Sequence, residues 1–108
     1  MEKIDILMAT YNGEKYLEEQ IESILNQTYS NFRLIISDDC STDRTCAILK
    51  EYAQKDNRIE LYFQEKNLGY VKNFEFLLGK VESELYMLSD QDDYWFPEKV
   101  EKTYNKLI

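Results

Sequence analysis

The chain has 108 residues, 13 basic and 21 acidic side chains, no histidine and a formal net charge of −8. That balance argues against non-specific nucleic-acid binding, which needs clustered Lys and Arg against phosphate. It also removes imidazole from acid–base catalysis and metal ligation.

The length suits one domain, and 44% hydrophobic residues is enough for a core. "IDILMAT" (Ile4 to Thr10) is short and mostly apolar, and predicts a strand buried on both faces. "YNGE" is a turn signal, after which Leu17, Ile21, Ile24 and Leu25 recur at helical spacing, predicting a helix from Lys15 to Asn26. "FRLIISDD" (Phe32 to Asp39) predicts a second buried strand with a polar carboxyl end. "CSTD" resembles a helix start, and Cys46, Leu49, Tyr52 and Ala53 supply the apolar stripe that follows. "IELYFQ" (Ile59 to Gln64) is a third strand, and the loop after it places Asn67 and Gly69 where positive φ is expected. Phe74, Leu77, Leu78 and Val81 mark a third helix. "ELYMLS" (Glu84 to Ser89) is a fourth strand, expected inside the sheet. Pro97 fits a first helical turn, and Val100, Tyr104, Leu107 and Ile108 give the last helix its apolar face. Alternating strands and helices imply right-handed βαβ units, a mostly parallel sheet and helices on both faces: a three-layer α/β/α domain over 1–108.

Cys40 and Cys46 match neither a CxxC redox motif nor a zinc pattern, and read as reduced thiols. No apolar run approaches the roughly 18 residues of a membrane span. "MEKIDILMATYNG" lacks a signal-peptide h-region, so a cytoplasmic location is expected.

Open α/β sheets bind ligands beyond the carboxyl ends of their strands. Here those ends read Thr10-Tyr11-Asn12-Gly13, Ser37-Asp38-Asp39 and Ser89-Asp90-Gln91-Asp92-Asp93. Any one such loop is ordinary turn chemistry; three on one rim point to a site. Asp90, Asp92 and Asp93 admit three readings: a solvated turn, an acid pair for proton transfer, or oxygen ligands for Mg²⁺ or Mn²⁺. The metal reading is favoured, because a hard divalent cation removes the mutual repulsion and is commonly shared with substrate phosphates. Tyr11 is suited to stack on a base, or else is a surface tyrosine, one of nine; Asp38 is suited to accept from a base N–H or to serve a helix N-terminus. Lys72 and Arg58 are cations for a diphosphate, or else solvated surface charges. With three glycines and neither GxGxxG nor GxxxxGK[ST], the nicotinamide-binding and P-loop classes fit poorly.

The stretch "IDILMATYNGEKYLEEQIESILNQTYSNFRLIISDDCSTDRT", then Asn67-Leu68-Gly69, Asn73 and Asp90-Gln91-Asp92-Asp93, resembles the start of a family 2 glycosyltransferase of the GT-A fold. The "SDQDDYWFPEK" segment, with Trp95 and Pro97, resembles its rhamnosyltransferase-like subset. The resemblance covers nearly the whole chain. It implies transfer of a sugar from a nucleotide diphosphate, a UDP- or dTDP-sugar, to a saccharide or lipid-linked saccharide, with inversion, in cell-surface polysaccharide synthesis. The work would fall at the inner face of the cell membrane, with no span in this region. By position, Thr10, Tyr11, Asn12 and Glu14 would line the nucleotide site, and Asp38 would bond the base. Asn67 and Lys72 would lie near base or diphosphate; Asp92 and Asp93 would be nearest ribose and metal, with Asp90 adjacent.

Cys40 stands where the family usually has Gly, so a difference in the backbone after Asp39 is expected; nothing is drawn from Arg33. No residue matches the family's general base, which together with the acceptor site is expected outside this chain, leaving these 108 residues inactive alone. A non-catalytic or truncated nucleotide-binding module shares every donor-site residue. A nucleotidyltransferase of similar architecture would want a Gly-rich basic loop after the first strand, which "YNGEKYLEEQ" is not. A receiver-like signalling domain fits less well, because its acid pair follows the first strand.

Overall fold

The structure, a computed structural model, describes residues 2–90 and 94–107. Strands β1 (Ile4–Thr10), β2 (Phe32–Asp38), β3 (Ile59–Phe63) and β4 (Leu85–Ser89) alternate with helices α1 (Glu14–Leu25), α2 (Thr45–Lys55), α3 (Tyr70–Leu78) and α4 (Lys99–Leu107). The strands form one parallel sheet in the order β3-β2-β1-β4. The expected α/β/α layering is present.

Side chains alternate between the sheet faces. Ile4, Ile6 and Met8 of β1 and Phe32, Leu34 and Ile36 of β2 meet α1, α2 and α4 through Leu17, Ile21, Ile24, Ile48, Leu49 and Val100. Leu7, Ala9 and Ile35 point the other way, onto Phe74 and Leu77 of α3. Each of these buried side chains larger than Ala9 contributes roughly 1.5–3 kcal/mol. β1 and β2 are covered on both faces, which is why they read as continuous apolar runs.

β4 differs from expectation. Among the described residues it is an edge strand, and Tyr86 and Leu88 are exposed because α3 lies over β1 and β2. The third helix ends at Leu78, short of Val81. Pro97 precedes α4 and gives its carbonyl to the Thr28 amide (2.8 Å). The segment before α4 is docked by Gln27, whose Nε2 donates to the Phe96 carbonyl (2.8 Å) while its Oε1 accepts from the Val100 amide (3.0 Å). Both thiols are free, as expected. No helix among the described residues is long and apolar enough to cross a membrane. Of the predicted α4 face, Ile108 lies outside the described residues.

Arg58 is not a diphosphate ligand. It precedes β3 at the amino edge of the sheet, where it pairs with Asp56 (2.8 Å) and donates to the Leu25 and Ser30 carbonyls (both 3.2 Å). Arg33 also acquires a role there. Asp5 is fully buried and binds Arg33 through both oxygens (3.2 Å each), along with the amides of Glu82 (2.8 Å) and Ser83 (3.1 Å). Burial pushes the Asp5 carboxyl upward, but the Arg33 hydrogen bonds, the two amides and the guanidinium charge outweigh it and hold it below the usual carboxylate range.

A carboxyl depressed in the fold stabilises the protein above its unfolded pKa and ceases to as pH falls through the folded value. Stability should therefore fall in acid below about pH 4. Arg33→Ala, by stranding a buried carboxylate, should cost about 3–5 kcal/mol near neutrality. Urea melts of both proteins between neutral and acid pH read both effects; equal stability at neutrality would refute the second.

Candidate functional site

The loops after β1 and β2 are sewn together around Asp38. Its carboxylate is completely buried and accepts four hydrogen bonds: Thr10 Oγ1 (2.7 Å), Ser41 Oγ (2.6 Å), the Ser41 amide (2.9 Å) and Cys46 Sγ (3.3 Å). Those four fill the acceptor capacity of a carboxylate. Burial, then the bond to Asp38, pushes the Cys46 thiol up to about 11, so it stays protonated and donates. Asn12 ties the same loops from above: its amide donates to Ser41 Oγ (2.9 Å) and its Oδ1 accepts the Thr42 amide (2.8 Å).

α2 begins at Thr45 rather than within "CSTD". Ser41 and Thr42 are occupied by Asp38 and Asn12. Asp43 takes the Thr45 amide (2.9 Å) and the first amide of α1, at Glu14 (3.2 Å). Burial pushes the Asp43 carboxyl up, but the hydrogen bonds from Thr45 and Glu14 leave it net lowered.

Asp39, one residue on, faces α3. Its Oδ1 accepts the Leu68 amide (2.6 Å) and its Oδ2 the Gly69 amide (3.1 Å), while Asn67 Nδ2 donates to its carbonyl (2.9 Å). Gly69 has φ of 90°, a left-handed value that a side chain would strain. Asn67 lacks the positive φ expected of it; Asn12 (φ 47°) and Cys40 (φ 62°) have it instead. Cysteine at position 40 thus adopts the left-handed conformation that glycine takes freely. Buried Asn73 locks α3 to β2, its Nδ2 donating to the Ser37 carbonyl (3.0 Å) and its Oδ1 accepting from Ser37 Oγ (2.6 Å).

Between these parts lies a cleft of about 440 Å³ lined by Ala9, Thr10, Tyr11, Asp39, Asn67, Gly69, Tyr70 and Asn73. One lining residue, Tyr70, joins it to Asp90, the residue after β4. Tyr70 Oη donates to Asp90 Oδ1 (2.6 Å), and Gln20 Nε2 donates to the Asp90 carbonyl (2.6 Å) and to Ser89 Oγ (3.0 Å).

Of the residues expected from sequence, Thr10, Tyr11 and Asn67 line the cleft and Asp90 is joined to it through Tyr70. Asn12 and Asp38 build its loops from outside the lining. Glu14, at the start of α1, and Lys72, on α3, are exposed and also outside the lining. Asp92 and Asp93 lie outside the described residues. Asp39 is expected on the rim but without a role of its own, and Tyr70 is not expected. Alternation along β2 was the available signal for Asp39: adjacent residues face opposite sides of a sheet, so only one acid of the pair shares a side with α3.

An open parallel sheet with a cleft beyond the carboxyl ends of its central strands is the arrangement in which α/β proteins place their ligands, and here it has the GT-A fold. The chain belongs to the family described as Glycosyl transferase family 2, whose sequence model matches residues 5–108. It is 37% identical over 108 residues to an uncharacterized glycosyltransferase of Haemophilus influenzae, covering 100% of this chain and 43% of that protein. It is 39% identical over 106 residues to the dTDP-rhamnosyl transferase RfbG of Shigella flexneri, covering 94% and 37%. Among solved structures it superimposes on S. aureus TarS 1-349 in complex with UDP, with TM-score 0.86, 32% identity, and coverage of 95% and 31%. The chain thus spans less than half the length of these relatives.

Relieving the left-handed strain at position 40 should stabilise the fold. Cys40→Gly is expected to gain up to about 1 kcal/mol, offset in part by the greater freedom of glycine when unfolded. The thermal midpoint should rise by a few degrees; a fall would show that the Cys40 thiol, which donates to the Glu65 carbonyl (3.7 Å), matters more than the backbone.

Proposed function

We propose that residues 1–108 form one domain, the donor nucleotide-sugar half of a glycosyltransferase, whose acceptor site and general base lie outside them. The observation that carries this reading is the cleft itself, lined by Tyr11, Asp39 and Asn67 and joined through Tyr70 to Asp90. A base needs a π-face and a hydrogen-bond acceptor; a diphosphate needs positive charge close by. The cleft offers the first pair directly. Its acids fit the second through a cation.

In this reading Tyr11 stacks on the base. The base-accepting role expected of Asp38 passes to Asp39, because all four acceptor sites of Asp38 serve the loops while Asp39 has two left after Leu68 and Gly69. Asn67 and Thr10 complete that wall, and Asn12 and Glu14 stand at its rim. Lys72 is the cation offered to the diphosphate. UDP bound to TarS and the dTDP donor in the name of RfbG favour a pyrimidine nucleoside diphosphate sugar.

The carboxylates of Asp90, Asp92 and Asp93 are hard oxygen donors of the kind Mg²⁺ and Mn²⁺ prefer. Asp92 and Asp93 would hold the ion and lie nearest ribose, with Asp90 adjacent to them. When bound, such an ion acts as a Lewis acid toward the leaving diphosphate. The chain's own residues hold the base and ribose still, so that the anomeric carbon is presented to an acceptor hydroxyl in one orientation. Inverting transfer to a saccharide or lipid-linked saccharide, at the inner face of the cell membrane, is the reaction such a site would serve.

Calorimetric titration of UDP and dTDP, with Mn²⁺, Mg²⁺ or EDTA, tests this reading. Binding of one nucleotide is expected to require metal and to weaken by about tenfold or more in Asp92→Ala/Asp93→Ala, as expected for charge-assisted contacts. Metal-independent binding that survives both substitutions would remove the cation from the reading. The preferred base would narrow the donor.

A further inference from the structure

Tyr70 lines the cleft and bonds Asp90 beside it. It is the first residue of α3 and follows Gly69, whose amide is held by Asp39. Its ring packs edge-on against Phe74 at 5.0 Å (64° between planes), which restricts where the phenol can swing. The side chain is 65% exposed, lines the cleft, and carries its hydroxyl to Asp90 Oδ1 at 2.6 Å. On the opposite face of the sheet, buried Gln20 of α1 holds the Asp90 carbonyl. Asp90 is therefore clamped twice, its backbone from α1 and its carboxylate from α3.

The Tyr70 clamp starts from the base end. Asp39 holds the Leu68 and Gly69 amides, the turn at Gly69 aims the first residue of α3, and the Tyr70 phenol fixes the Asp90 carboxylate. A group touching Asp39 and a group touching Asp90 thus share one mechanical connection.

We propose that Tyr70 is a positioning residue that holds Asp90 in place for the diphosphate end of the donor and couples that end to the base end. The proposal rests on the donor-site reading above. Tyr70 does not touch the reacting atoms; it acts through Asp90, by removing rotamer freedom from a carboxylate that must otherwise be ordered when the ligand arrives. A phenol suits the task, since it donates one hydrogen bond to a carboxylate without adding a charge that would compete for a cation. Because the link is mechanical, it is reciprocal: base-end occupancy strengthens diphosphate-end binding, and the converse.

The test uses Tyr70→Phe, which keeps the ring and removes only the hydroxyl. Uridine and thymidine, followed by NMR shifts in EDTA, report the base end alone. UDP and dTDP titrated with Mn²⁺ report both ends. Nucleoside affinity is expected to be unchanged, while affinity for the diphosphate with Mn²⁺ falls several-fold, up to about tenfold, the cost of ordering one side chain on binding. In an Asp90→Ala background, Tyr70→Phe should have no further effect. Equal weakening of nucleoside and diphosphate would make Tyr70 merely a wall of the base pocket and overturn the proposal. Unchanged affinity for both would overturn it too, as would full additivity with Asp90→Ala. Failure of the unsubstituted chain to bind any nucleoside or diphosphate would bring down the donor reading itself, and this coupling with it.

Discussion

Two amides, of Leu68 and Gly69, reach the carboxylate of Asp39 and hold the start of α3 against the end of β2. Each is a hydrogen bond to a charged acceptor, worth about 1.5–3 kcal/mol. The α3 side of the cleft depends on them. Gly69 then gives its carbonyl to the Asn73 amide, Asn73 locks onto Ser37, and Tyr70 is left facing Asp90. Asp38 does the equivalent work on the other face, gathering Thr10, Ser41 and Cys46. Adjacent acids are compatible here because the strand turns them to opposite sides and each finds its own donors.

The two ends of the sheet treat negative charge differently. At the amino end, Asp5 is neutralised by Arg33 and sealed from water. At the carboxyl end, the described hydrogen bonds to Asp38 and Asp39 come from hydroxyls, a thiol and backbone amides, all neutral. Neutral donors stabilise a carboxylate without cancelling its charge. Among the described residues no ion pair involves Asp38 or Asp39, a condition under which a cation can be shared with an anionic ligand. An overall charge of −8 is no obstacle to binding a diphosphate on those terms.

The layering of the fold was legible in the sequence for a physical reason. Strands buried on both faces are mostly apolar, as in "IDILMAT" and "LIIS", and helices with one buried stripe repeat every three or four residues, as do Leu17, Ile21 and Ile24. The rim was legible because parallel strands carry all their carboxyl ends to one side. Resemblance to family 2 glycosyltransferases was legible because its motifs lie on those ends, and the family match over residues 5–108 bears it out.

Which acid faces the cleft was not legible. The sequence pointed to Asp38, yet a shift of one residue along a strand exchanges the faces, and the choice is made by where α3 packs. The same holds for Tyr70 and Asp90, which are 20 positions apart and meet only because a helix and a strand end on one rim. The edge position of β4 and the pairing of Arg33 with Asp5 are likewise long-range. Local pattern determined the elements, their order and the side of the sheet that bears the site. Tertiary packing alone decided which side chains enter it, because period and composition carry no record of what lies across the sheet.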